Sequence, residues 1–445
     1  MGTISADISP IIAHLTERTS SHRGPLKAVR TAAAERLPTL SFDREEWGYT
    51  DLAPFLEALG DAVKERNGEP ANGMGNNGSS AVPARLTSRG IPLLSHSVIA
   101  SGNDDGSGKN VEVSESLRQA SIQVCSLSNG SGDDEAGITR NFGSLSDKST
   151  NPLVALSTAF FQSGIAIHAP RQSTLSETIQ IVHHSGGSRL HTPRTLITVD
   201  EGASISVVEV VVSEGENAWC GPAVTEIFLA PGAHCSYTRL LEGEATLQSA
   251  SSVFVRADRD SVFRSFFLST TPQTVRTEIV PTLAGPGATV KVAGLSLGTE
   301  DQHIDTVVVM EHAAPHGESR QLFKSIHSGH SRGSFSGTII VQEGAQKTNA
   351  FQSSKGILLG RDATINTRPQ LKIWADDVKC SHGATVGQID EAALFYLRSR
   401  GIPSAAARTL LLHAFVGEVL AEVDRPDVRE MLGPIVDRRL TSVLG

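Results

Sequence analysis

The sequence predicts a mainly β protein, and three observations support that fold class. Between residues 151 and 375 the chain passes through short β-branched segments separated by turn residues, with no helix-length periodic segment between them. Aromatic residues make up only 5% of the chain, whereas 41 of its 445 residues are glycine, a composition that suits many strands and turns. A turn ending in alanine also recurs, at Glu201-Gly202-Ala203, Pro231-Gly232-Ala233, Pro286-Gly287-Ala288, Glu343-Gly344-Ala345 and Arg361-Asp362-Ala363.

The order of the predicted strands excludes one fold class and leaves two architectures open. The predicted strands are GIAIHA, ETIQIVHH, TLITV, SISVVEVVV, AVTEIFL, SVFVRA, TVRTEIV, TVKVAGLSL, DTVVVM, GSFSGTIIV and ATINTRPQLKIW. A doubly wound α/β fold is excluded, because each parallel strand pair in it needs a crossover helix. The unequal intervals between turns are tolerated when rungs stack on one another. From the residues alone, a parallel β-helix and a β-sandwich both remain open.

Two regions are predicted to precede the β core, which is assigned to residues 151–387. Residues 1–66 form an N-terminal helical region, since Leu26–Leu37 is rich in strong helix formers and Asp51 can cap a further helix. Residues 67–150 form a linker and loop-rich region, in which Asn67–Ser80 is rich in Gly and Asn. We expect this second region to be poorly ordered and to carry no chemistry.

Residues 388–445 are predicted to form a C-terminal bundle of three amphipathic helices. Asp390 and Glu391 suit the start of the first helix, and Gly401 ends it. Ser404 is predicted to cap the second helix, and Pro426 to begin the third. Apolar residues recur at helical spacing in each segment, so each helix has a face to bury.

Charge and hydropathy exclude several classes of protein. The formal net charge of −9 and the lack of a long basic run argue against general nucleic-acid binding. No stretch approaches the ~20 consecutive apolar residues of a membrane span. The first residues show no basic segment followed by an apolar one, so they do not resemble a secretory signal. We therefore expect a cytoplasmic protein, or a stromal one if the source has plastids.

The cysteines point to a reducing compartment and to one candidate ligand pair. Cys125, Cys220, Cys235 and Cys380 contain no C-x-x-C motif, so they predict neither a disulfide framework nor a self-contained zinc or cluster site. On an extended strand, however, Cys380 and His382 project from the same face, about 6–7 Å apart. Thiolate and imidazole are suitable iron ligands. A buried cysteine beside a hydrogen-bonded histidine is the ordinary alternative.

Several segments resemble the SufB/SufD family of iron–sulfur cluster assembly proteins. The most specific is DDVKCSHGATVGQIDEAALFYLRSRGI at residues 376–402, in which Ser381–Gly387 is similar to the SufD branch. The segments Leu37–Leu52, Thr178–Glu209 and His303–Gln352 resemble further blocks of the family. The resemblance implies a right-handed parallel β-helix core flanked by N-terminal and C-terminal α-helical regions, and so favours the β-helix over the sandwich.

The resemblance also implies a function. It indicates a non-catalytic scaffold subunit that pairs with a SufB-like subunit through the end of the β-helix and binds a SufC-like ATPase through the C-terminal helices. Cys380 and His382 would lie at the SufB–SufD interface and hold iron or an iron–sulfur cluster transiently, with no cofactor bound stably by this chain alone. A homodimer is expected when the partners are absent.

Other residues were weighed as sites. The spacing of the histidines does not converge on a metal, so turns exposed at the surface or at an interface are expected at His303, His312, His316, His327 and His330. No G-x-x-x-x-G-K-[ST] phosphate loop occurs, which argues against ATP hydrolysis by the lone chain. A stand-alone carbohydrate-active β-helix enzyme and a SufB-type scaffold are the alternatives. The adjacent pair Asp376-Asp377 weakens the first, because neighbouring strand residues face opposite sides.

Overall fold

The structure is a computed structural model that describes most of the chain. The described residues are 3–4, 26–43, 47–50, 52–53, 55–57, 86, 91–94, 96–101, 115–127, 140–161, 164–186, 192–214, 219–243, 248–270 and 273–444. The predicted cap Asp51 and the predicted linker Asn67–Ser80 lie outside these residues.

Two long sheets form the body of the protein. In addition to the small antiparallel pair β1 (Thr3–Ile4) and β2 (Phe42–Asp43), the described strands are β3 (His96–Ser101), β4 (Gln123–Ser126), β5 (Gly164–Ala169), β6 (Thr174–Gly186), β7 (Arg194–Val199), β8 (Ser204–Glu214), β9 (Trp219–Leu229), β10 (His234–Gly243), β11 (Gln248–Ala257), β12 (Val262–Ser269), β13 (Thr274–Leu283), β14 (Thr289–Gly298), β15 (His303–His312), β16 (Glu318–His327), β17 (Arg332–Val341), β18 (Asn349–Leu358), β19 (Thr364–Ile373) and β20 (Lys379–Gly387).

Successive strands alternate between the two sheets. The even sheet has the order β20-β18-β16-β14-β12-β10-β8-β6-β3, and the odd sheet has the order β19-β17-β15-β13-β11-β9-β7-β5-β4. All pairings in both sheets are parallel except that of β4 with β5. The chain therefore winds as a β-solenoid of about seven turns, with helices at both ends. The predicted fold class is confirmed.

The recurring turn has a clear physical role. Gly202, Gly232 and Gly287 adopt φ values of +67°, +67° and +73°, which L-residues with side chains rarely adopt. The alanine that follows each of them is fully buried, and it begins the next inward-facing run. A small residue fits there because the chain turns sharply against the rung below.

The strands β3 and β4 lie in residues 67–150, which the sequence predicts to be linker and loops. Within residues 151–387, four strands of the even sheet are missing from the strands that the sequence predicts: β10, β12, β16 and β18. Their sequences carry charged residues among the apolar ones, as in ESRQLFKSIH. The structure explains this, because Lys324 of β16 is buried beneath a helix and donates to Glu418 and to the carbonyl of Phe415. A strand that is covered on both faces loses the apolar–polar alternation that identifies strands in a sequence.

Helices cover the outer faces of both sheets and the amino end of the lumen. They are α1 (Lys27–Arg36), α2 (Glu115–Gln119), α3 (Pro152–Phe160), α4 (Glu391–Ser399), α5 (Ser404–Leu420) and α6 (Pro426–Leu444), with short 3₁₀ turns at Leu37–Thr39 and Ser146–Lys148. Of these, α3 lies where the sequence predicts the start of the β core. Asn151 caps it by accepting from the Leu153 N–H, and Pro152 follows at the first helical position. Every residue of α3 is buried, so its sequence lacks the polar face by which an amphipathic helix is identified.

The N-terminal segment packs on the odd sheet. Trp47 is buried there, with its ring 3.8 Å from the guanidinium carbon of Arg276. Arg276 also pairs with Asp305 and donates to the Thr50 hydroxyl, whose own hydrogen bond goes to Asp305. These contacts fasten the segment to the strands that it covers.

The C-terminal helices pack on the even sheet. Their apolar residues form one cluster with the outward side chains of β8 to β16. Asp390 caps α4 by accepting from the N–H groups of Ala392 and Ala393, and Gly401 ends α4 with φ +85°. The prediction that Ser404 caps α5 is wrong, because Ser404 is already helical and Pro403 precedes it without a side-chain cap. Among the described helices, none has the length and apolar character needed to cross a bilayer.

Candidate functional site

The candidate pair lies on the last strand of the even sheet. In β20, Cys380 pairs with Ala350 of β18, and His382 pairs with Gln352. Among the described strands, nothing pairs with the opposite edge of β20, and β19 likewise ends the odd sheet. The backbone groups along both edges are therefore available for further pairing.

Both side chains face the lumen of the solenoid. The residues below Cys380 in the same register column are Ala350, Ser319 and Val290, all fully buried. Gln352 lies directly below His382 and points inward, since its Nε2 donates across the lumen to the carbonyl oxygen of Gly337 at 3.2 Å. The thiol and the imidazole therefore share the lumen face of β20, as their spacing predicts. They lie at the open end of the lumen.

The two groups differ in exposure. His382 is exposed, whereas Cys380 is half-buried and packs against the lumen core. Burial raises the pKa of the Cys380 thiol, and the Ala350 backbone N–H opposes part of that rise. The thiol is thus protonated at neutral pH and would lose its proton on binding a metal cation.

Polar groups continue below the pair. Gln321 lies under Gln352 in the same column, is only 3% exposed, and neither its Oε1 nor its Nε2 has a hydrogen-bond partner among the described residues. Gln352 Oε1 is also unpaired within the described part of the chain. Two amide groups therefore line the lumen directly beneath the candidate ligands.

The histidine tract is not a metal site in the described structure. The expectation of exposed turns is wrong for His312 and His327, which are fully buried at strand ends. His312 contacts the Ser319 hydroxyl at 2.8 Å, and His327 contacts that of Ser331 at 3.1 Å. Desolvation lowers the pKa of each ring to about 4. No group of three or more His, Cys, Asp or Glu side chains within the described ranges is placed to hold a metal ion.

The other described cysteines lie away from the candidate pair. Cys235 is buried in the lumen core, and desolvation raises its pKa to about 12. Cys125 is half-buried on β4. The side chain of Cys220 lies outside the described part of the molecule. None of these thiols lies beside the Cys380–His382 pair in the sheet register.

A buried charge cluster that the sequence did not predict lies in the lumen. Glu209 accepts hydrogen bonds from Arg239 at 2.8 Å and from Thr195 at 2.7 Å, and it also accepts from Tyr237. His183 Nε2 lies 2.9 Å from the same carboxylate. Burial opposes ionisation, but the charge of Arg239 and these hydrogen bonds hold the pKa of Glu209 well below its ordinary value. A lone glutamate inside the apolar run SISVVEVVV is the signal that could have identified it.

Large apolar side chains are exposed on two surfaces. The end surface consists of Ile373, Trp374 and Val386 beside the free strand edges, and Trp374 is 58% exposed. The helical surface consists of Phe395, Tyr396 and Leu410 on α4 and α5, and Phe395 is 73% exposed. Exposed large apolar side chains are common on surfaces that contact other proteins.

Comparison with known proteins agrees with this architecture. The family described as "SUF system FeS cluster assembly, SufBD core domain" matches residues 181–415, and the SufBD protein N-terminal region matches residues 14–181.

Individual relatives match over part of their length. The chain is 33% identical to the iron-sulfur cluster assembly protein SufD of Escherichia coli over 54% of this chain and 57% of that protein. It is 31% identical to protein ABCI7, chloroplastic, of Arabidopsis thaliana over 60% of this chain and 58% of that protein. The matches thus span less than two thirds of these relatives. Because the core-domain match alone covers more than half of the chain, the protein belongs to the SufBD family of the SUF system for iron–sulfur cluster assembly.

Proposed function

We propose that this chain is a SufD-type scaffold subunit that shares an iron–sulfur assembly site with a SufB-like subunit. The observation that carries the proposal is the position of Cys380 and His382 on the last strand of the even sheet, whose outer edge pairs with no described strand. The ring is exposed and the thiol half-buried, so both can be reached by a second protein.

The number of ligands requires a partner. Iron–sulfur clusters are held by about four protein ligands, mostly thiolates. The last rung offers one thiol and one imidazole, and no larger ligand group occurs in the described part of the chain. Iron or a nascent cluster is therefore cargo held jointly, with His382 and Cys380 as this subunit's contribution.

The free edges of β19 and β20 fit a strand-pairing partner. Strand addition to an exposed sheet edge is a common mode of recognition, in which backbone hydrogen bonds supply affinity and side chains supply specificity. Here Ile373, Trp374 and Val386 flank the edges and would be covered by the partner. A second copy of this chain would cover the same surface when the SufB-like subunit is absent.

A second partner fits the helical surface. Phe395, Tyr396 and Leu410 project from helices that are already fastened to the even sheet, so they are not needed for the helix–sheet core. A SufC-like ATPase docking there would supply the nucleotide hydrolysis for which this chain has no phosphate-binding loop. This assigns the chain a non-catalytic role, in a bacterial cytoplasm or a plastid stroma.

Reconstitution with the SufB-like and SufC-like partners tests the proposal. We expect His382→Ala to retain both partners on co-purification and to lose most of the cluster formed, measured as iron and acid-labile sulfide per complex. Cys380→Ser should reduce cluster formation less, because its thiol is the more buried ligand.

Ser381→Ala is the matched control, since Ser381 lies between the two ligands but faces outward. Normal cluster formation by His382→Ala would overturn the site assignment. A chain that ignores both partners would overturn the scaffold role itself.

A further inference from the structure

Three basic residues form a ladder on the outer face of the even sheet. Arg264 of β12, Lys291 of β14 and Arg320 of β16 occupy the same register position on adjacent strands. Neighbouring strands lie about 4.8 Å apart, and like charges directly opposite one another destabilise a sheet. Anions close to the three side chains would offset this repulsion.

Acidic side chains of the described residues offset only part of the positive charge of the ladder. Arg264 pairs with Asp424 of the α5–α6 connection. Among the described carboxylates, Arg320 pairs only with the exposed Glu318, at 3.4 Å between Nε and Oε1. Lys291 is half-buried as a residue, and its ammonium has no hydrogen bond or ion pair with any described side chain. The middle of the ladder is therefore left without a counter-charge from the described residues.

The ladder lies on the floor of a groove of about 510 Å³ between the even sheet and the C-terminal helices. Arg429 also lines the groove, and His382 lies at its end. Phe351 is the next residue of the ladder column after Arg320, is 39% exposed, and has its ring centroid 5.4 Å from the Arg320 guanidinium carbon. The groove thus combines positive charge with one apolar wall.

Of the acidic residues that line the groove, Glu418 and Asp424 already form ion pairs with other residues. The hydrogen bond from Lys324 lowers the pKa of Glu418, which also pairs with Lys355 at 3.3 Å. Asp424 accepts from Ser236 at 2.8 Å in addition to Arg264. Glu422 also lines the groove, but within the described structure it forms no ion pair with Lys291 or Arg320 within 4.0 Å. Of the three cations of the ladder, Lys291 and Arg320 therefore remain for a ligand to neutralise.

We propose that this groove binds a small oxyanionic ligand, carboxylate- or phosphate-bearing, held by Lys291 and Arg320 with Phe351 against its apolar part. The ligand would lie beside His382 without occupying the lumen face of that residue. The site is complete within one chain, and so it does not depend on the assembly role proposed above.

Calorimetric titration of the isolated full chain at low ionic strength tests the site with two probes, pyrophosphate and citrate. We expect at least one probe to bind, Lys291→Gln to weaken its binding at least tenfold, and Lys291→Arg to retain it. Preference for one probe identifies the phosphate or the carboxylate as the natural group.

Lys372→Gln on β19 makes the same charge change on the other sheet and should leave binding unchanged. Thermal unfolding without probe gives a second readout, since Lys291→Gln removes a like-charge contact and should not lower the midpoint. Absence of binding by both probes, or equal weakening in Lys291→Gln and Lys372→Gln, would overturn the proposal.

Discussion

The two ends of the solenoid differ in whether the lumen is covered by other residues. At the amino end, Leu117 of α2 and Ile122 are fully buried in the same core as the inner rungs, so they close the lumen. At the carboxyl end, β20 is exposed along almost its whole length, and the nearby Trp374 is 58% exposed. The first end stabilises the chain by burying apolar surface, and the second leaves surface available for association.

Polar groups follow the same division. In the amino-terminal half, the Glu209 carboxylate has Arg239, Tyr237 and two threonines as hydrogen-bond donors. At the carboxyl end, the Gln321 amide has no partner among the described residues, and His382 is exposed. Complete satisfaction is typical of structural polar groups, whereas available groups next to an opening are typical of binding sites.

The largest effect on stability is expected at the closed half. Glu209→Gln would leave Arg239 and its neighbours around a neutral group, and breaking a buried ion pair lowers the free energy of unfolding by about 3–5 kcal/mol. His382→Ala at the open end should change it by no more than about 0.5 kcal/mol. Urea unfolding of both variants measures the contrast.

Glu201→Gln, at an exposed turn, is the control for removal of a negative charge. Equal losses in Glu209→Gln and His382→Ala would contradict the division into a structural half and a functional end.

An intermediate effect is expected from pH, because His312 and His327 are buried in the neutral form. Their folded pKa of about 4 lies below the unfolded value of about 6.5. Their stabilising contribution is therefore complete above pH 6.5 and is lost as the pH falls toward 4. Between pH 7.5 and 5 the free energy of unfolding should fall by about 2 kcal/mol for each ring.

Unfolding midpoints of the wild type and of His312→Gln/His327→Gln at both pH values test this. The double variant should show a flatter pH dependence, and an unchanged slope would contradict the assignment.

The smallest effect on stability is expected at the strand edge. The Lys379 N–H donates to Thr348, so alternation along β20 directs the N–H of Ala384 toward the free edge. Ala384→Pro removes that donor without removing a hydrogen bond of the sheet, and proline is tolerated in such edge positions. The unfolding midpoint should remain close to that of the wild type, whereas association with the SufB-like subunit should weaken strongly on gel filtration. Ala384→Ser is the control, and normal association of the proline variant would argue against strand pairing.

Much of the fold could be predicted from local patterns. The turns with buried alanine, the strands with clear alternation and the ends of α4 depend on residues that are adjacent in the chain, and the structure contains all of them. The prediction failed where tertiary burial hides the local pattern, as in α3, which is buried on all sides, and in β16, whose Lys324 is covered by α5. It also failed for His312 and His327, because rung stacking decides which turn residues are enclosed.

The sequence by itself determined that the chain is built of short strands, and that Cys380 and His382 share one face of a strand, since side chains alternate with a period of two. Only the tertiary structure decided that this strand is the last of its sheet, which makes the pair reachable. The same is true of the ladder of Arg264, Lys291 and Arg320, whose members are brought into register by turns of unequal length. Register between distant strands is set by the length of each coil and the packing inside it, and neither can be read from the residues of one strand.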